Sequence, residues 1–152
     1  MSRIDFGRQG GVVLIEALLG ILIFSIGILA LIGMQSVAVK HTVDARYRTE
    51  AAYLANGMLS QIRLDYANAA QYDDEVTGNY APRTAWRNQV EALLPGVSSA
   101  SAQRVPSIDV AAGPTYPGDV DPPSRVTVIV YWLQPGESQE HKFEIVGFVS
   151  LQ

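Results

Sequence analysis

The sequence predicts an α+β protein, with one long N-terminal helix packed on a small antiparallel sheet. Three observations carry this reading. An apolar run from Val12 to Met34 leads, with no proline, into an amphipathic stretch that reaches Tyr66. Loops rich in Pro, Gly and Asp break up much of the chain beyond Tyr66. The chain then closes on two segments dense in β-branched and aromatic residues, separated by a turn.

At 152 residues the chain is one domain's worth of sequence plus the apolar run. Its apolar fraction is 48%, much of it between Val12 and Met34, so the remainder is a fairly polar part that can hold one core. No cysteine is present, which excludes disulfides and thiolate metal sites. A net charge of −4 argues against nucleic acid as a partner, because phosphate binding needs a basic face.

Val12 to Met34 is 23 residues, and about 20 in a helix cross a bilayer core. Three readings compete. A secretory signal cut after Ser36-Val37-Ala38 needs an apolar core of only ~7–15 residues, and this one is longer. A plain signal anchor treats Glu16, the one charge in the run, as incidental. The third reading uses the glycines before the run. Flanking charges do not orient the segment, since Arg3, Arg8 and the starting amine balance Lys40, Arg46 and Arg48. A short leader and a long C-terminal part favour an outward head.

Glu16 also has two explanations. Near the start of a helix it meets the positive end of the dipole, worth about 0.3–1 kcal/mol. Alternatively, a cut between Gly11 and Val12 creates an amine on an apolar residue. The carboxylate of Glu16 then pairs with the amine of a neighbouring chain staggered by about a turn. Leaving either charge unpaired costs ~3–5 kcal/mol in soluble interiors, so such a pair sets register.

Beyond Met34, Val39, Val43, Tyr47, Ala51, Leu54, Met58 and Ile62 recur at steps of four and three, the seam of an amphipathic helix. One continuous helix of ~55 residues, roughly 80 Å, is the simplest object. Within its apolar half, Glu16, Gly20, Ile23, Gly27, Ala30 and Met34 fall inside a wedge of about 80° at 100° per residue. Gly20, Gly27 and Ala30 then form a face along which helices can approach closely.

In the remainder, "ANAAQYDDEVTG" leaves the helix, with Asp73, Asp74 and Glu75 as a solvated charge run and no metal site. "PRTAWRNQVEALLPG" is a short amphipathic helix with Trp86, Val90, Leu93 and Leu94 on one face, ended by Pro95-Gly96. "VSSASAQ" is a connector, Ser107–Val110 a weak strand, and residues 111–124 an irregular loop. Arg125–Leu133 is the strongest strand, and His141–Leu151 returns antiparallel to it. Val126, Val128, Val130 and Trp132 line one face of the first of these, and Ile129, Tyr131 and Leu133 the other. One face covers the long helix, and the other is left for a loop, the Trp86 helix or another subunit. His41 and His141 lie far apart in sequence, and no nucleophile elbow or phosphate loop appears, so the chain does not read as an enzyme.

Gly11, then Val12-Val13-Leu14-Ile15, then Glu16, behind a short charged leader and ahead of an apolar run, resembles the type IV prepilin signal. The resemblance implies a type IV pilin-like fold and cleavage after Gly11 by the prepilin peptidase. It further implies N-methylation of Val12 and assembly from the inner membrane into a helical filament, with Glu16 as the assembly carboxylate. Removing the leader takes Arg3, Asp5 and Arg8 with it and moves the net charge from −4 to −5. Val12 stands where Phe is common, and Gly33 stands near where major pilins carry a proline.

"LIEALLGILIFSIGILALIGMQ", "AAYLANGMLSQIR", the Trp86 helix ending in "LLPG" and "VTVIVYW" together resemble the PilV class of type IV pilus minor pilins. That resemblance divides the chain into a leader (1–11), a transmembrane or filament-core half-helix (12–34), an amphipathic half-helix (35–66) and a head (67–152). It implies a subunit that helps prime pilus assembly and forms the tip complex for twitching motility or adhesion. Its partners are then other minor pilins, the major pilin, and an adhesin where the tip carries one; no cofactor or metal is implied. The alternatives are a minor pseudopilin of a type II secretion system and, from another class, an uncleaved membrane-anchored periplasmic binding module.

Overall fold

A computed structural model describes residues 10–98, 105–115 and 122–150. The leader charges Arg3, Asp5 and Arg8, the connector from Ser99, the middle of the 111–124 loop and Leu151 lie outside those residues. The chain divides into two units, Met1–Val43 and Asp44–Gln152. The helix α1, Gly10–Leu64, contributes to both.

In the first unit every described side chain from Gly11 to Thr42 is exposed, Val39 included, although Val39 belongs to the amphipathic seam. No proline interrupts the segment. Ser25 and Thr42 turn their hydroxyls onto the carbonyls of Ile21 and Ala38, so these two hydroxyls are satisfied within the helix.

The second unit holds the α+β layout expected from the sequence: α1 packs on a three-stranded antiparallel sheet. The buried stripe of α1 is Ala51, Leu54, Ala55, Met58, Leu59 and Ile62. It is wider than the single seam, because Ala55 and Leu59 fill the second row of an i, i+3, i+4 pattern. α1 ends at Leu64, with Arg63 in its last turn, and a 3₁₀ helix, Tyr66–Tyr72, comes directly after it. The sequence suggests that the chain leaves the helix there. It tightens instead, burying Ala69 and Tyr72.

α2, Ala81–Leu93, starts with Pro82 in its first turn, where a missing N–H costs nothing. Trp86, Val90 and Leu94 are buried, but Leu93 is 44% exposed. The step from Val90 to Leu93 carries it past the buried side, and Arg83 takes the remaining buried position. The Trp86 indole N–H donates to the Leu54 carbonyl at 3.1 Å, fixing α2 to α1. Gly96 then adopts φ +71°, and a Cβ there would sit 2.7 Å from the Leu133 Cβ. Only glycine accepts both that backbone and that approach.

The strands are β1, Ser107–Ala112; β2, Ser124–Trp132; and β3, His141–Val149, in the order β1-β2-β3. β1 therefore includes Ala111 and Ala112, which the sequence assigns to a loop. β2 starts one residue earlier and stops one earlier than expected. Register pairs Ile108 with Val128 and Val128 with Ile145. Val126, Val128, Val130 and Trp132 are the buried face of β2, together with Ile108 and Val149. Gly147 is the close approach to the helix, since a Cβ there would lie 2.6 Å from Leu59. On the opposite face Ile129 and Tyr131 are half-buried, and Val146 and Phe148 are exposed.

Candidate functional site

The first unit carries the residues singled out by sequence. Between Val12 and Met34, sixteen large apolar side chains are exposed, from Met34 at 70% to Ile28 at 41%. Burying each is worth about 1.5–3 kcal/mol, or roughly 25–50 kcal/mol together. A whole domain's stability is about 5–15 kcal/mol. A surface of this size is suited to lipid or to other apolar helices rather than to water. It is the one helix among the described residues long and apolar enough to cross a membrane, which is compatible with single-pass anchoring.

Glu16 interrupts that surface. Among the described residues its carboxylate has no hydrogen bond or ion pair. Gly11 and Val12 stand one turn before it on the same helix. Gly20 and Gly27 have open space where a Cβ would be. With Ala30 they share the wedge that holds Glu16, because α1 is regular through this stretch. Gly33 is likewise open, and the helix passes through it without a break.

No known protein family, curated protein or solved structure matches this chain.

In the second unit the polar groups pair with one another. Asp65 accepts from Tyr80 Oη at 2.6 Å, Tyr72 Oη at 3.0 Å and Asn68 Nδ2 at 2.8 Å. The two tyrosine rings meet edge to face, 4.8 Å apart. The hydrogen bond from Tyr80, then that from Asn68, hold the Asp65 carboxyl below the usual carboxylate range. Burial, then Asp65, pushes the Tyr72 phenol well up. A depressed carboxylate stabilises the fold above its unfolded pKa and loses that contribution as pH falls through the folded value. The Asp65 share of stability is therefore full at neutral pH, starts to fall near the ordinary carboxylate value of about 4, and is gone only once pH has passed below the depressed folded value. An Asp65→Asn variant has a flatter acid limb in urea melts between neutral pH and about pH 3; parallel limbs for variant and wild type would contradict this.

Arg83 is buried, and its guanidinium donates to the carbonyls of Asp73, Val76 and Gly78. It holds the 73–79 loop. Asp73 and Asp74 correct the sequence reading, which leaves them in solvent. Asp74 pairs with Arg87 at 2.5 Å, and both carboxylates accept backbone N–H groups of β1, from Val110 and Ile108. Among the described residues no group of three or more His, Cys, Asp or Glu could hold a metal. His41 is exposed on α1. His141 stacks on Trp132, and its Nε2 lies 2.8 Å from Glu137 Oε2. No signal in the sequence announces Asp65 or Arg83: their partners answer to no helical or strand period.

Proposed function

We propose that this chain is a minor subunit of a type IV pilus, made with a leader that prepilin peptidase removes after Gly11. The observation that carries the reading is the unpartnered Glu16 carboxylate in an otherwise apolar, uncovered helix. A buried charge in such a setting needs a cation. Cleavage before Val12 supplies one, the new amine, on every neighbouring chain. The inner membrane holds the apolar half-helix before assembly, and neighbouring subunits replace lipid around it afterwards. The head remains outside, where it meets other minor pilins at the filament tip.

Mass spectrometry of the N-terminal peptide from native membranes tests this. The expected mature chain starts at Val12 and carries one N-methyl group. A chain that starts at Met1 or Ser2 removes the reading and leaves an uncleaved anchored module.

The small-residue face gives a second test. Gly27→Leu leaves membrane insertion intact, because it adds apolar surface, but it blocks close helix approach and lowers incorporation into filaments several-fold. Extraction profiles and filament content measure the two separately. Equal loss of both would count against the face.

A further inference from the structure

The two edges of the sheet are treated differently. In an antiparallel ladder, residues that exchange hydrogen bonds alternate with residues that do not. Gly113 N–H donates to the Pro123 carbonyl at 2.8 Å, so the odd-numbered residues of β1 face β2. The even-numbered residues of β1 then face outward. Ile108 and Val110 do so: their N–H groups go to Asp74 Oδ2 at 3.0 Å and Asp73 Oδ2 at 2.7 Å. The Ile108 carbonyl accepts the Asp74 N–H at 3.0 Å. Two carboxylates thus occupy the outward donors of Ile108 and Val110, leaving only that of Ala112, and so obstruct a further strand along most of the β1 edge.

The same alternation carried through β2 turns its even residues toward β3, where they meet the odd residues of that strand. Lys142, Glu144, Val146 and Phe148 are left with their backbone groups directed outward. Among the described residues none of these groups has a partner in the chain. β3 is nine residues long, about 30 Å of open edge. No proline or bulge protects it, and two of its outward residues, Val146 and Phe148, are large, apolar and 50% and 53% exposed.

We propose that the open edge of β3 is a strand-docking site, which takes an extended segment of another polypeptide by β-augmentation. The side chains specify the segment. An antiparallel partner read from its N-terminus places apolar residues opposite Phe148 and Val146, then a basic residue opposite Glu144 and an acidic one opposite Lys142. In the free edge Lys142 and Glu144 pair with each other at 3.2 Å, and docking exchanges that exposed pair for two across the strands. Its intervening side chains fall beside the half-buried Phe143 and Ile145 and are apolar.

A second copy fits poorly. The β3–β3 register that uses all four outward positions sets Lys142 against Phe148 and Glu144 against Val146. The register that pairs Lys142 with Glu144 leaves Val146 and Phe148 unmatched. The β1 edge of another copy has its Ile108 and Val110 donors already taken by Asp74 and Asp73. The head is therefore built to accept one strand on one side and to stop there. This inference rests on the sheet alone and stands apart from the processing of the N-terminus.

Amide exchange on the full chain in detergent micelles tests it. The probe is a short synthetic peptide with valine at inward positions and outward residues in the order valine, valine, lysine, glutamate. Its addition slows exchange at Lys142, Glu144, Val146 and Phe148 by about tenfold or more, and leaves Ile108 and Val110 unchanged. The same peptide N-methylated on its edge-facing amides gives no protection. Val146→Pro removes an outward N–H without touching the β2–β3 ladder and abolishes the effect. Lys142→Glu combined with Glu144→Lys shifts preference to the peptide with lysine and glutamate exchanged. Absence of protection, or equal protection by the methylated peptide, overturns the proposal. So does concentration-dependent protection of the four amides without peptide, which assigns the edge to a second copy.

Discussion

Trp132→Ala lowers the stability of the head by about 3–5 kcal/mol, the cost of emptying a large aromatic from a close-packed core. Trp132 ends β2, is 1% exposed, and stacks on His141 with ring centroids 5.4 Å apart. It closes the end of the core row that starts at Val126. The loss is a large part of the ~5–15 kcal/mol that holds a domain together. In a thermal melt of the full chain in micelles, followed by near-UV circular dichroism, the midpoint drops by about 10–30 °C. Trp132→Phe separates packing from hydrogen bonding. The indole N–H is buried and has no acceptor among the described residues, so removing it sacrifices no bond. Phenylalanine therefore costs distinctly less than alanine. Equal losses for the two variants would mean that the ring's volume is not what holds this end of the core.

The elements set by local periodicity are legible in the amino-acid sequence. The apolar run, the seam through Ala51, Leu54, Met58 and Ile62, the Trp86 helix and the β2–β3 pair all derive from spacing and residue type. The errors fall where a longer-range contact decides. Leu93 shares the helical pattern of Trp86 and Val90, yet Arg83 occupies the buried position on that side, because the carbonyls of Asp73, Val76 and Gly78 give its guanidinium somewhere to donate. Ala111 and Ala112 have weak strand preference and join β1 only because Arg125 and Ser124 stand opposite them.

Asp73 and Asp74 are the most instructive case. In sequence they are two acids beside Glu75, indistinguishable from a solvated loop. Their role depends on Ile108 and Val110, distant in sequence, arriving with outward N–H groups. No local rule finds such a pairing. The residues assigned to the membrane half stand differently. Gly11, Val12, Glu16, Gly20, Gly27 and Ala30 are exposed and pack on no other element among the described residues, so the fold of the chain neither adds to nor removes the meaning that the sequence suggests for them.

Glu16→Ala is expected to leave the chain inserted and processed while weakening its capture by partner subunits by about a hundredfold to a few thousandfold. That range converts the ~3–5 kcal/mol cost of an uncompensated charge in a nonaqueous interior. The alternative origin of the acid predicts far less. A carboxylate that only meets a helix dipole contributes about 0.3–1 kcal/mol, a two- to fivefold effect, and it acts within one chain. Pull-down of partner minor pilins from micelles, with N-terminal mass spectrometry as the processing control, distinguishes the two. Glu16→Gln sharpens the result: it keeps shape and hydrogen bonding but removes charge, so an ion pair with a neighbour's Val12 amine predicts a loss close to that of alanine. Near-wild-type capture by the glutamine variant assigns Glu16 a polar but uncharged role, and capture unchanged in both variants refutes the pairing. The head melts identically in all three proteins, because no residue of Asp44–Gln152 is altered.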